Sequence, residues 1–272
     1  MASPQLPLAD GDVGTLLRDW RLRRRHSQLS LALDAGVSAR HLSFVETGRA
    51  RPSRDMVLKL AERLDVPPRE RDALLLAAGY APAQRARSLD DAELRSVRAA
   101  VDTLLAAFAP NPALAVDRHW NIVAHNAGVA LLLRDVDPSL LAPPANALRV
   151  SLHPKGLAPR IENLPAWRAH VLERLRRDAE LTADPALADL LGELRGYPAY
   201  GVSRAGEAGA EDPLPVIVPL RLRTPAGVLA FVSTTTVFGT AVDATAAELA
   251  IETFLPADAA TAEALRALSG ST

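Results

Sequence analysis

Cysteine is absent from all 272 residues, which excludes a disulfide scaffold, a thiolate zinc site, an iron–sulfur cluster and a cysteine nucleophile. Lysine is scarce: of 31 basic residues, only Lys59 and Lys155 are not arginine. No apolar run suits a bilayer. The longest uncharged stretch, Thr224–Val242, holds six Ser or Thr among nineteen residues, with Pro225 and two glycines. The start, Met1-Ala2-Ser3-Pro4, shows no basic region followed by an apolar run, so no signal peptide is expected. Enzyme motifs are missing too: there is no G-x-S-x-G, G-x-G-x-x-G or P-loop, and no histidine pair at i, i+4. Gly201-Val202-Ser203-Arg204-Ala205 comes nearest to a nucleophile elbow, but it sits in a Gly- and Ala-rich stretch rather than between a strand and a helix. No catalytic residue, metal ligand or cofactor is therefore assigned. The expectation is a soluble, cytoplasmic, non-enzymatic chain with no membrane partner.

What is present is enough for a core: 49% of residues are hydrophobic, and the length suits about two domains. The net charge of −1 hides a polarity. Val13–Arg54 carries nine arginines against three acids, whereas Ala205–Thr272 carries three arginines against eight acids. Such asymmetry points the N-terminal end at a polyanion. A GC-rich genome would also enrich arginine and alanine, but it would not cluster them.

From Val13 to Ala78 the periodicity is helical. Val13, Leu16, Leu17 and Trp20 make an apolar stripe opposite Arg18, Arg21 and Arg25. Ser27 caps a second helix, expected to turn Leu29, Ala32 and Leu33 inward. Gly36 supplies a left-handed turn, and Ser38 caps a third helix reaching about Thr47. Gly48 ends it. Ser53 caps a fourth helix, and Pro67-Pro68 opens a fifth that Gly79 closes. Helix, short glycine turn, helix, beside an arginine-rich first helix, is the layout of a helix-turn-helix DNA reader.

The residues match more closely than the layout alone requires. Ser27-Gln28-Leu29-Ser30-Leu31-Ala32, Ala35-Gly36-Val37-Ser38, Leu42-Ser43-Phe44-Val45-Glu46-Thr47-Gly48-Arg49 and Arg51-Pro52-Ser53 resemble the xenobiotic response element (XRE) family of Cro/C1-type repressors. The resemblance implies that Gln28 clamps a phosphate at a helix N-terminus. It also implies that Ser38, Ala39, Arg40 and His41 begin the helix that enters the major groove. Arg40 is the base-reading candidate, because a guanidinium bonds guanine O6 and N7 together. Ser43 and Phe44 face the groove one turn later, and Arg49 and Arg51 suit the opposite phosphate strand. Family members often place glutamine or arginine where Ala39 and Phe44 stand, which shifts weight from direct readout to DNA shape. Leu42 and Val45 read as core, and Glu46 as a local ion-pair residue.

The second half mixes periods. A helix spans about Asp91–Phe108, with Leu94, Val97, Val101, Leu104 and Leu105 on one stripe, until Pro110-Asn111-Pro112 stops it. Leu114–Val116 and Ile122–His125 read as strands about a turn, and Asn126 caps a short helix ending near Leu133. Pro165 and Pro185 open further helices. Val216, Val218, Leu220 and Leu222 alternate with arginines as a strand. Val228–Val237, apolar on both faces, reads as a buried central strand. A segment near Glu248–Leu255 and a helix capped by Asp258 follow.

Val116-Asp117-Arg118-His119-Trp120, Asn146-Ala147-Leu148-Arg149, His153-Pro154-Lys155-Gly156-Leu157 and Ile251-Glu252-Thr253-Phe254-Leu255-Pro256-Ala257-Asp258 resemble the MmyB-like ligand-binding domain, a PAS-like module found behind XRE readers. The resemblance implies an α+β domain with an antiparallel sheet flanked by helices, enclosing an apolar pocket for fatty-acid-like ligands. Leu255 stands where an aromatic often follows Phe254. A fatty acid needs an apolar tunnel plus donors for its carboxylate. Trp120, Phe231, Phe238 and Phe254 are the tunnel candidates. His125, Arg149 and His153 are the carboxylate candidates. PAS-like folds also carry haem on a histidine, but no further signature supports that here.

The expected organisation is a five-helix DNA-binding bundle at 10–80, a connector at 81–90 and a PAS-like ligand-binding and dimerisation domain at 91–272. The expected function is a homodimer on a palindromic double-stranded operator, modulated by a small apolar effector. A constitutive DNA-binding repressor whose second domain only dimerises is the alternative; an enzyme with an appended reader is a third class.

Overall fold

The computed structural model describes residues 12–82, 95–198, 217–238 and 244–270. The chain divides into two compact units, Met1–Ala86 and Arg87–Thr272. Residues 83–90 of the expected connector at 81–90, the expected helix start at 91–94, the 201–205 stretch and Val216 lie outside the described residues. Among the described residues, no helix is long and apolar enough to cross a membrane.

The N-terminal unit is all helix: α1 (Val13–Arg23), α2 (Gln28–Ala35), α3 (Ala39–Glu46), α4 (Arg54–Arg63) and α5 (Pro68–Ala77). The capping serines act as the sequence demands. Ser27, Ser38 and Ser53 each accept a hydrogen bond from the backbone N–H three residues on. Gly36 ends α2 at φ +65°, which lets α3 cross α2 after a three-residue turn. Gly14 brings α1 against α3: a Cβ there would lie 2.1 Å from the Val45 carbonyl oxygen. Leu17, Leu31, Leu42, Val45, Val57, Leu60, Leu64 and Leu75 fill the core and are essentially inaccessible.

Two expectations fail here. Helix α2 buries Leu31, Ala32 and Ala35, while Leu29 and Leu33 are 61% and 73% exposed. Leu31 takes the core position because α2 packs against both α3 and α4, which rotates its buried face by roughly a third of a turn from the simplest apolar stripe. Arg21, expected on the solvated side of α1, is buried because Glu46 on α3 is buried opposite it.

The C-terminal unit begins with α6 (Arg95–Ala107), β1 (Ala113–Val116), β2 (Ile122–His125) and α7 (Ala127–Leu132). Asn126 ties these together: its Oδ1 accepts from Ala113 N and Val129 N, and its Nδ2 donates to the carbonyls of Leu105 and Asn111. Then come α8 (Pro138–Leu141), α9 (Ala147–Leu152), α10 (Leu164–Thr182) and α11 (Pro185–Arg195). Last are β3 (Leu220–Thr224), β4 (Gly227–Val237), α12 (Ala244–Ala247), β5 (Ala250–Pro256) and α13 (Ala259–Gly270). Pro165 and Pro185 sit at the starts of α10 and α11 as expected. Asp258 accepts the Thr261 N–H at the start of α13.

The sheet is antiparallel, with order β2-β1-β5-β4-β3. It is covered on both faces, which explains why all four residues of β1 are buried. Helices α7, α9, α10 and α11 pack their leucines, valines and Trp167 on one face, over Leu114, Val116, Leu222 and Phe231. Val101 and Leu105 of α6 cover the other, over Ala113, Ala115 and Ile251. The central strand is β5, not β4. Strand β4 is buried only at Leu229–Phe231, and Thr234–Val237 are exposed. The five-residue β3 pairs no further along β4 than Phe231, so among the described residues the rest of β4 is paired on one edge alone.

Candidate functional site

The exposed start of α3 and the two arginines behind it form the cationic face of the N-terminal unit. Ser38, Arg40 and His41 are exposed, Ala39, Ser43 and Phe44 are half-buried, and Arg49 and Arg51 are exposed just past the helix. The Arg40 guanidinium lies 5.5 Å from the Phe44 ring centroid, so Phe44 serves as a shelf beneath Arg40. The Phe44 carbonyl accepts the N–H groups of Arg49 and Ala50 at 2.8 and 3.1 Å, which fixes the turn carrying the trailing arginines.

Behind this face lies a buried ionic cluster. Arg21 Nε and one terminal nitrogen donate to Glu46 Oε1 and Oε2 at 2.6 and 2.8 Å, and Gln28 Nε2 donates to Oε2 at 2.8 Å. Burial by itself would raise the Glu46 carboxyl. The hydrogen bonds from Arg21 and Gln28, with the arginine charge, outweigh burial and hold it below the ordinary carboxylate value. Glu46 is thus the local ion-pair residue it was expected to be. An amide nitrogen carries two hydrogens, so Gln28 at the start of α2 has one engaged by Glu46 and one left to donate. Arg24 is equally structural, bonding the Leu64 and Asp65 carbonyls at the end of α4 and stacking on Trp20.

In the C-terminal unit an apolar cavity of about 90 Å³ lies between the sheet and the helices α7, α9 and α10. Of the seven residues expected there, Trp120 and Phe254 line it. Phe231 is fully buried beside them, edge-on to Phe254 with centroids 6.4 Å apart, and packs behind the lining. Phe238 belongs to the cluster on the opposite face of the sheet, with Val101 and Leu105. Neither His125, His153 nor Arg149 lines it. His125 is exposed at the end of β2. His153 accepts the Lys155 N–H on Nδ1 and meets Tyr197 edge-on. Arg149 clasps Glu193 through Nε and a terminal nitrogen at 2.9 and 2.8 Å. His125 ends β2 and His153 follows α9, while Arg149 within α9 faces Glu193 on α11.

The polar part of the lining comes from α10 and β5 instead. Arg174 donates to Glu252 Oε2 and Oε1 at 3.0 and 2.7 Å and to Thr235 Oγ1 at 2.8 Å. Its guanidinium carbon lies 4.5 Å from the Trp120 ring centroid. His170 and Ser151 also line the cavity, and Ser151 Oγ accepts the Trp167 indole N–H at 2.9 Å. Burial, then the charges of Arg174 and Arg177, pull His170 below its ordinary value, so its ring is neutral at neutral pH. Burial raises the Asp178 carboxyl despite Arg174 and a hydrogen bond with Trp120. Trp167, His170, Val171 and Arg174 follow one helical stripe on α10. Polar residues interrupting an apolar stripe were the available signal.

The resembling motifs position this lining. Trp120 has φ +66°, a conformation costing an L-residue about 1–2 kcal/mol. The Asp117 carboxylate holds it by accepting from His119 N, Asn121 N and Asn121 Nδ2. Asn146 caps α9 by accepting from Leu148 N and Arg149 N, and its Nδ2 donates to the His119 carbonyl at 2.8 Å. Ala147 N donates to the Trp120 carbonyl. Asp117 and Asn146 therefore aim one tryptophan into the cavity.

Comparison with known proteins agrees with both halves. A helix-turn-helix family model matches residues 17–71. Among solved structures, the restriction-modification controller protein C.AhdI from Aeromonas hydrophila is 37% identical over 22% of this chain and 89% of its own, with TM-score 0.21. The SinR protein/SinI protein complex is 20% identical over 36% of this chain and 84% of its own, also with TM-score 0.21. No curated protein matches. The model described as the MmyB-like transcription regulator ligand binding domain matches residues 97–268, more than half of the chain. The chain therefore belongs to the MmyB-like transcription regulators, with a helix-turn-helix DNA-binding region ahead of a ligand-binding domain.

Proposed function

We propose that this regulator binds a palindromic operator as a homodimer and that a small, fatty-acid-like molecule in the C-terminal cavity modulates its DNA affinity. The carrying observation is the apolar cavity beside Trp120 and Phe254, a space with no evident use in a domain that only dimerises. A dimer is favoured because α3 spans eight residues and reads few base pairs. Two such helices about 34 Å apart read a palindrome. At about 90 Å³ the cavity is on the order of apolar cavities that take a small hydrocarbon, so medium chains should precede long ones. Binding can shift DNA affinity only by its preference between two arrangements of the protein, typically about 5- to 150-fold.

The test is operator binding by the delipidated full-length protein at fixed salt, titrated with fatty acids of increasing chain length. Salt is held because phosphate contacts make every affinity depend on it. A shift within that range at medium chain length is expected. Binding without a change in operator affinity would favour the constitutive repressor, and no binding at any length would remove fatty acids as the effector.

A further inference from the structure

The cation in the cavity lining is already committed to a carboxylate, which constrains the head of any ligand. Among the described residues, Arg174 is the one cation in the lining. One of its terminal nitrogens has both hydrogens directed, to Glu252 and to Thr235, and the other holds the second oxygen of Glu252. A guanidinium has five N–H donors in a fixed fork, and a two-point clasp on a second carboxylate needs the nitrogen that is fully engaged. Two N–H groups remain, on different nitrogens and too far apart in the fork to clasp one carboxylate together. The anions nearby are Glu252, whose side chain is only 6% exposed, and Asp178, which faces both Arg174 and Trp120. His170 adds no charge, since burial and the neighbouring Arg174 and Arg177 disfavour its protonation. An ionised head would therefore enter as a further anion beside one shared cation, in surroundings that screen charge poorly.

We propose that the cavity selects ligands with an uncharged hydrogen-bonding head, such as a fatty alcohol or primary amide, over the ionised carboxylate of the same chain. This rests on the cavity being the effector site and specifies the chemistry it accepts. A hydroxyl head accepts one N–H from Arg174 and donates to the Glu252 carboxylate. An amide head does the same through its carbonyl and NH2. Both satisfy the pair without adding charge.

Isothermal titration of the delipidated full-length protein with octan-1-ol, octanamide and octanoate, at neutral pH and fixed salt, tests this. The neutral heads should bind about tenfold or more tightly than octanoate, the factor corresponding to one pK unit of like-charge repulsion. In Glu252→Gln, which removes the competing anion and leaves Arg174 one side-chain acceptor fewer, octanoate should gain about the same factor. Octanoate binding as tightly as octan-1-ol to the unmodified protein overturns the selectivity and leaves the effector site intact. An unchanged octanoate affinity in a Glu252→Gln protein that melts like its parent overturns it as well. If none of the three binds, the effector site falls, and the selectivity with it. The head series on the parent protein decides even where Glu252→Gln fails to fold.

Discussion

Each unit contains an arginine clasping a glutamate through two nitrogens, and the two pairs work differently. In the N-terminal unit Arg21 and Glu46 are 8% and 2% exposed at the side chain and join α1 to α3, with Gln28 adding α2. In the C-terminal unit Arg174 and Glu252 are 28% and 6% exposed and join α10 to β5 along a cavity wall. The first pair is enclosed by protein on every side and fixes the angle at which α3 is presented. The second keeps one edge toward an open space and so remains available to a ligand. Identical pair chemistry thus gives a structural joint in one place and a selective surface in the other, and burial decides which.

Breaking the enclosed pair should have the largest effect. Removing one partner leaves the other charged and buried, at a cost of about 3–5 kcal/mol. Arg21→Ala or Glu46→Ala should therefore unfold or strongly destabilise the N-terminal unit in urea melts and abolish operator binding. Replacing both, Arg21→Met with Glu46→Leu, should restore most of that stability, because well-packed apolar substitutes are often neutral or better. A double variant no more stable than the singles would mean that the pair itself, rather than the uncompensated charge, supports the bundle.

On the outer face the effects should be smaller, and for Arg40 confined to DNA; Gln28 also bonds the buried Glu46, so Gln28→Ala should lower the stability of the bundle as well. Arg40→Ala should weaken binding to the cognate operator by about 1–3 kcal/mol and relax preference at one base position. Gln28→Ala should weaken all sequences similarly if its free N–H meets a phosphate, since phosphates carry no sequence information. Binding-site selection on both variants separates the roles, and an unaltered profile for Arg40→Ala would remove it as a base reader.

The N-terminal unit was largely legible in the sequence because its signals are local. Ser27, Ser38 and Ser53 cap the helices they precede, and Gly36 turns where a left-handed residue is needed. Arg21 escaped because a charged residue beside an apolar stripe reads as solvated until its partner, 25 residues away, is known. In the C-terminal unit the strand positions and capping residues were legible, but of the lining only Trp120 and Phe254 were. Phe238 and Phe254 look alike in sequence, and only strand register places them on opposite faces of the sheet. Arg174 stood in a helix with no motif to single it out. Glu252 sat inside a quoted motif, yet its importance depends on which helix covers β5.

A smaller effect distinguishes how the motif residues serve the cavity. Asn146→Ala removes an N-cap and should cost about 1 kcal/mol in a urea melt. It also removes the bond to His119 that helps to hold Trp120, so octan-1-ol affinity should fall by more than the lost stability alone explains.

The smallest expected difference is in pH dependence, and its sign is opposite for the two pairs' surroundings. Glu46 has a depressed value when folded. Its contribution is complete above the ordinary carboxylate value of 4.5 and is lost as pH falls through the depressed one. Asp178 has a raised value. Its contribution is complete below the ordinary 3.8 and is lost as pH rises through the raised one, so at neutral pH its charge destabilises the fold. Asp178→Asn, which keeps an acceptor for the Trp120 indole, should therefore exceed the parent in stability at neutral pH, with the advantage vanishing in acid. The Arg21→Met/Glu46→Leu protein should instead gain on the parent as pH falls below 4.5. Urea midpoints of the parent and both variants at matched salt across this range supply the comparison. Parallel pH curves for Asp178→Asn and the parent would show that Asp178 is solvated like any surface carboxylate. The cavity would then have one buried anion fewer to repel an ionised ligand.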